Sequence, residues 1–266
     1  MYKRYFGFTE KPFSKTPDPR FLFFSRGHEE ALARLEFVVE EREIAVLTGD
    51  IGCGKTTISR ALMDRLGDRY RFCYIVNPRL NALEFLRATA RLLDVERPAA
   101  SKNEVLEQIN AVIYDHYLKG ICPVIVVDEA QMIADAEVFD EIRLLTNFQL
   151  DAHNLLAVVI MGQPELRSML SSPRFEPLRQ RIALHYHLCP LSLEETMEYL
   201  DFRLEMAGGE AGLFTPDAVQ KVYELTGGVP RKINSVATNA LLVAYGNDAA
   251  LIDSAIINEI KDEMMM

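Results

Sequence analysis

The sequence predicts an α/β fold: a parallel sheet covered by helices on both faces, then a small all-helical end. Three observations carry that expectation. Short apolar runs alternate with amphipathic stretches, the alternation stops after Cys189-Pro190, and helix-start signals fill the remainder of the chain. The runs Ile44 to Leu47, Phe72 to Val76, Val124 to Val127, Leu155 to Met161 and Ala183 to Leu188 read as strands. They are nearly continuous in apolar residues, as strands buried on both faces must be. Residues 55–66, 81–93, 103–118 and 136–149 read as the helices between them. Before the first strand, Ala31, Leu32, Leu35, Val38 and Val39 recur at helical spacing with charges between them.

Past residue 190, Ser192-Leu-Glu-Glu195 fits a capping box, with Leu193, Met197, Leu200 and Leu204 as the buried face. Thr215-Pro216 opens another helix, Thr as cap and Pro in the first helical position. Helices over 230–245 and 253–262 complete this end. The segment before His28 holds Phe13, Phe21, Leu22, Phe23 and Phe24, too apolar for a solvated tail, while Thr16-Pro17-Asp18-Pro19 blocks regular structure. The expected organisation is therefore an arm over 1–27, an α/β domain over 28–189 and a helical domain over 190–266.

Bulk properties narrow the function. The chain has 266 residues, nearly half hydrophobic, enough for a sizeable core. A formal charge of −10 argues against a uniformly basic protein that coats nucleic acid. Cys53, Cys73, Cys122 and Cys189 are scattered without a CxxC pair and read as reduced thiols. His116, His153, His185 and His187 lack metal-ligand spacing. No apolar run approaches the roughly 20 residues that cross a bilayer, and the first residues lack a secretory apolar stretch. The expected location is cytoplasmic, with any contact to the inner membrane made through a partner.

The chemistry is carried by Gly49-Asp50-Ile51-Gly52-Cys53-Gly54-Lys55-Thr56, followed by Thr57. It matches G-x-x-x-x-G-K-[ST] between a strand and a helix, the context a phosphate-binding P-loop (Walker A) requires. Glycines let backbone N–H groups turn toward phosphates, and the helix N-terminus adds its dipole. Lys55 is expected to reach the β- and γ-phosphates of ATP and Thr56 to ligate Mg2+. Downstream, the apolar run Val124 to Val127 ends in Asp128-Glu129, which a parallel sheet would carry to its carboxyl edge. Asp128 is expected to hold Mg2+, and Glu129 to orient and deprotonate the attacking water. A strand at 72–76 between these motifs, and an acid directly after Asp128, fit the additional-strand class of P-loop NTPase.

The chain resembles the AAA+ family of ExeA/GspA-type ATPases from type II secretion and related export systems, and more distantly the TniB/TnsC-like transposition ATPases. The matching stretches are Phe8 to Phe13 with Thr16 to Phe21, GDIGCGKTT, VIVVDEAQ, Val159 to Leu166, Leu178 to Ile182 and Gly227 to Asn234. They run in order over almost the whole chain. The resemblance implies that Gln163 is sensor 1, near the γ-phosphate or lytic water. It implies that Arg181, with Arg179 as the alternative, is an arginine finger reaching a neighbouring subunit's ATP. It makes Arg231 sensor 2 on the helical lid, sets Asn77 where some relatives restrain the catalytic Glu, and places the Pro17-Asp18-Phe21 arm beside the adenine. ATP is expected between the α/β domain and the lid, in a homo-oligomer. The function implied is an ATPase acting as motor or assembly switch for membrane-associated export components. ExeA-type relatives carry a transmembrane segment and a peptidoglycan-binding part that have no counterpart in these residues. Two other classes stay open: a DNA-dependent ATPase of transposition or loader type, and a slow-hydrolysing ATP-gated scaffold. The first would need a basic stripe, for which Lys3-Arg4, Arg20-Arg26 and Arg60-Arg65-Arg69-Arg71 are candidates.

Overall fold

A computed structural model describes residues 2–14, 19–150 and 153–264. A short helix α1 (Tyr2–Tyr5) precedes α2 (Arg26–Glu40), β1 (Ile44–Gly49), α3 (Lys55–Leu66), β2 (Tyr70–Ile75), α4 (Ala82–Leu92) and α5 (Lys102–Leu118). Then come β3 (Cys122–Val127), α6 (Glu137–Leu145), β4 (Gln149–Leu150), β5 (His153–Asn154), β6 (Ala157–Gly162), α7 (Pro164–Leu170), α8 (Glu176–Arg179) and β7 (Ile182–Leu188). Helices α9 (Leu193–Met206), α10 (Pro216–Thr226), α11 (Pro230–Gly246) and α12 (Ser254–Met264) close the described chain. Contacts divide it into two compact units, one of 28–49 with 58–188, the other of 1–27, 50–57 and 189–266.

The first unit holds a five-stranded parallel sheet in the order β2-β3-β6-β1-β7. Strands β1, β3 and β6 are buried along their whole length, which is why their sequences show no alternation. The edge strand β7 alternates instead, with Ala183, His185 and His187 exposed. Ile125, Val127, Val158 and Ile160 pack with Phe85, Ile109 and Phe139 in one apolar core. Every predicted strand and helix of this unit is present, with small shifts at the ends. The exception is the helix expected over 136–149, which stops at Leu145. Its last turn tightens through Asn147 N–H to Leu144 O at 3.0 Å and Phe148 N–H to Leu145 O at 3.1 Å. The freed residues Gln149 and Leu150 then pair antiparallel with Asn154 and His153.

The second unit has its own core, where Phe8, Phe13 and Phe21 of the arm pack with Leu200, Leu204, Val222, Ile233 and Ile257. Arg203, buried to 7% exposure, pins the arm. Its guanidinium donates to the carbonyls of Pro12 at 2.6 Å and Ser14 at 3.2 Å, and lies 4.8 Å from the Phe21 ring. A buried charge is tolerable there because carbonyl dipoles and a ring face replace water. The predicted capping box is present: Ser192 Oγ accepts from Glu195 N–H at 3.1 Å, and Glu195 accepts from Ser192 N–H at 2.9 Å. Thr215 stands at the N-cap of α10, but its hydroxyl donates to Ile252 O at 3.1 Å, so the expected side-chain cap is absent. Asp217 in the first turn instead accepts from Ser254 N–H at 3.2 Å, tying α10 to α12. Among the described residues no helix is long and apolar enough to cross a membrane.

Two adjacent glycines shape the turn before α11. Gly227 and Gly228 have φ of 59° and 73°, yet a Cβ at Gly227 would meet open space while one at Gly228 would collide with the Leu191 carbonyl. In chemical denaturation Gly227→Ala is expected to cost about 1 kcal/mol and Gly228→Ala about 3 kcal/mol. A second expectation concerns acid. Hydrogen bonds from Ser254 hold the Asp217 carboxyl down at about 2. Its stabilising contribution is therefore complete above the unfolded value near pH 4 and fades as pH falls through about 2. Melting temperatures of the parent and Asp217→Asn should differ near neutral pH and converge below that window.

Candidate nucleotide site

In the second unit, the loop of residues 50–57 leaves β1 and enters α3. Gly52 and Gly54 take φ of 89° and 103°, conformations that glycine adopts without strain and that turn successive N–H groups to one side. Cys53 between them is fully buried, its N–H donating to Asp50 O at 3.2 Å. Burial, reinforced by the Asp50 charge, pushes its thiol up to about 11, so it stays protonated at neutral pH. Lys55 is buried, 6% exposed as a residue, and its ammonium donates to Asp50 O at 3.1 Å, while Thr56 is exposed. The loop also leans on the start of α11: Arg231 N–H donates to Gly52 O at 3.4 Å. A Cβ on Gly52 would lie 2.6 Å from the Arg231 Cβ, so this glycine permits the close approach. The Arg231 side chain itself is exposed.

In the first unit, Asp128 and Glu129 follow β3 directly. Asp128 N–H continues the ladder to Ile75 O at 3.0 Å, and its carboxylate is buried. Asp128 Oδ1 accepts from Glu129 N–H at 2.9 Å and Oδ2 from the Tyr74 hydroxyl at 2.8 Å. That hydroxyl is also 3.2 Å from Ser59 Oγ on α3. Glu129 has left-handed backbone angles, φ 52° and ψ 39°, which swing its side chain away from the strand direction. Glu129 Oε2 accepts from Gln131 Nε2 at 2.5 Å and Gln163 Nε2 at 3.0 Å. Gln131 Oε1 in turn accepts the Gln163 backbone N–H at 3.1 Å. Gly162 makes room for this bridge, since a Cβ there would lie 2.7 Å from Gln131 Oε1.

Of the sequence-predicted residues, Glu129 and Gln163 are thus brought together in one unit, and Gly52 of the loop meets Arg231 in the other. Asn77 does not restrain Glu129; it is exposed and its Oδ1 accepts from Arg79 N–H at 3.5 Å. The restraint comes from Gln131 and Gln163. Arg179 is engaged by the Leu170 and Ser171 carbonyls at 3.3 and 3.1 Å and by Glu176. Arg181 is exposed, with a 3.3 Å bond to Thr146 Oγ1. Phe21 is a core residue of its unit, while Pro17 and Asp18 lie outside the described residues. Sequence reasoning gives no role to Gln131, Tyr74 or Ser59. Gln131 belongs to the VIVVDEAQ run, and its position two residues after Glu129 is the one signal available for it.

The AAA domain family matches residues 39–170. General secretion pathway protein A of Aeromonas hydrophila is 40% identical over 250 residues, covering 92% of this chain and 45% of that protein. The chain thus spans less than half of that relative's length. Among solved structures, the ORC1 protein of Aeropyrum pernix in complex with DNA has a TM-score of 0.70 at 19% identity, covering 97% of this chain and 70% of that one. The RuvB Holliday junction branch migration motor of Thermotoga maritima has a TM-score of 0.58 at 18% identity, covering 89% and 68%. At these identities the two structures share the fold: a parallel P-loop sheet followed by a helical lid. The chain is an AAA+ ATPase domain related to the ExeA/GspA family.

Proposed function

We propose that this chain hydrolyses ATP to ADP and phosphate as the switch of a nucleotide-controlled assembly. The observation that carries the reading is the Glu129 carboxylate, gathered by two amides where the parallel strands end. The residues present fit the phosphates of a nucleotide. Positive-φ glycines shape the loop, a long helix begins at Lys55, and the Lys55 ammonium can exchange its Asp50 carbonyl for phosphate oxygens. Thr56 and Asp128 would hold Mg2+, which neutralises phosphate charge when bound. Glu129 takes a proton from water as the water oxygen bonds to the γ-phosphorus and the bridging P–O bond breaks. Arg231, sited beside the loop at the start of α11, would read the nucleotide from the lid.

Arg181 is the better finger candidate. Arg179 has its guanidinium committed to the turn after α7, whereas Arg181 is exposed with one neutral partner to give up. A finger acting on a second copy makes the active form a homo-oligomer.

For the partner, the sequence alone ranks export first, and the 40% identical relative supports that reading. The fold neighbours support a DNA-associated or scaffold role at least as strongly, one of them being in complex with DNA and the other a branch migration motor. The candidate basic stripe is partly matched by acids: Arg65 with Glu36, Arg71 with Asp94 and Arg20 with Glu10. Exposed pairs of this kind are worth little and can yield to phosphate. We therefore put duplex DNA first among partners to test, with membrane-associated export components next.

Specific ATPase activity is expected to rise with protein concentration. Arg181→Ala should lower it by about a thousandfold, while Arg179→Ala mainly lowers the melting temperature. Activity independent of concentration and of Arg181 would rule out a shared site. Binding to duplex DNA, followed by anisotropy from 50 to 200 mM salt, is expected to weaken by a factor of about 10 or more. No binding at the low-salt end removes the DNA reading and leaves export or scaffold partners.

A further inference from the structure

We propose that Gln131 is a positioning residue for Glu129, a carboxamide bridge that sets the base in register with the end of β6. The inference rests on the hydrolysis reading above and adds a residue to it. Gln131 is half-buried and engaged at both ends of its amide: Nε2 on Glu129 Oε2 at 2.5 Å, Oε1 on the Gln163 N–H at 3.1 Å. The backbone N–H can only donate, so the carbonyl end must face Gln163 and the N–H2 end must face the carboxylate. The amide therefore cannot flip without losing both bonds. The side chain of Gln163 returns to the same Glu129 oxygen at 3.0 Å, closing a ring of three residues through the Gln163 backbone N–H.

The ring answers a geometric problem. Glu129 sits in the left-handed region beyond the strand, where β3 pairing no longer controls its direction. A general base needs its carboxylate held to within a fraction of an ångström of the water it deprotonates, and such precision comes from supporting hydrogen bonds. Gln131 supplies it from the same turn, and Gly162 leaves open the space that a Cβ would take from Gln131 Oε1. The bridge also makes the position of Glu129 depend on that of Gln163. Any shift of the β6 end, where the resemblance sets the γ-phosphate sensor, is passed to the base through the Gln131 and Gln163 amides.

The substitution Gln131→Glu separates the two ends. It is isosteric and keeps an oxygen for the Gln163 N–H, but it turns the other end into a like charge facing Glu129. Gln131→Ala removes both. Steady-state hydrolysis should show kcat lowered about ten- to a hundredfold in both variants, with KM for ATP nearly unchanged. Amide hydrogen exchange at Gln163 should accelerate in Gln131→Ala and stay slow in Gln131→Glu. Unchanged kcat in both, or a raised KM alone, overturns the positioning role while leaving the hydrolysis reading standing. Parent turnover that is indifferent to Glu129→Gln overturns the hydrolysis reading, and this proposal with it.

Discussion

Everything chemical in the sheet unit hangs on the hydrogen bonds that β6 makes to β3 on one side and β1 on the other. Parallel pairing sends the carboxyl ends of all three strands to one edge of the sheet. The register sets Thr48 beside Gly162 and Val127 beside Ile160. The acid pair and Gln163 are simply the next residues of β3 and β6. A one-residue slip of β3 would reverse which face every side chain points to, and burial on both faces makes that slip costly. The apolar run from Val124 to Val127 is thus a requirement of the acid pair as much as of the core.

Around that edge, polar side chains carry the second level of order. Tyr74, its hydroxyl also bonded to Ser59, holds Asp128, and Gln131 and Gln163 hold Glu129, so the two adjacent acids are tied to different elements. One stays buried on the strand ladder while the other turns out through a left-handed residue. Separate supports would let the neighbouring carboxylates take the separate roles proposed for them, one toward a metal and one toward water. In the lid unit the corresponding device is Arg203, which binds the arm to α9 through the Pro12 and Ser14 carbonyls and the Phe21 ring face.

Much of this is legible in the sequence because the signals are local. Strands buried on both faces show as unbroken apolar runs, and the Ser192 capping box shows as a pattern four residues long. The glycine loop is legible for the same reason, since its conformation depends on residue type at each position. The features that escape sequence reading depend on tertiary partners. The end of α6 at Leu145 is set by a tightening turn and a strand pair with residues eight or more positions on, which apolar spacing over 136–149 does not reveal. The Thr215 hydroxyl reads as a cap in sequence, but Ile252 takes it in the fold. Gln131 reads as one more polar residue, because one of its two partners lies on the far side of a crossover. Asn77 matches its expected role by place, two residues past the β2 end that pairs with Val127, but its side chain accepts from Arg79 N–H, and the amides on Glu129 come from Gln131 and Gln163.

The most direct test compares the parent with Glu129→Gln for MgATP affinity and phosphate release at saturating MgATP. Affinity should stay close to the parent's while release slows by about a hundredfold or more, as removal of a general base requires. Release that continues at the parent's rate would contradict the role given to Glu129, since no gathered carboxylate at the end of β3 would then be needed for turnover.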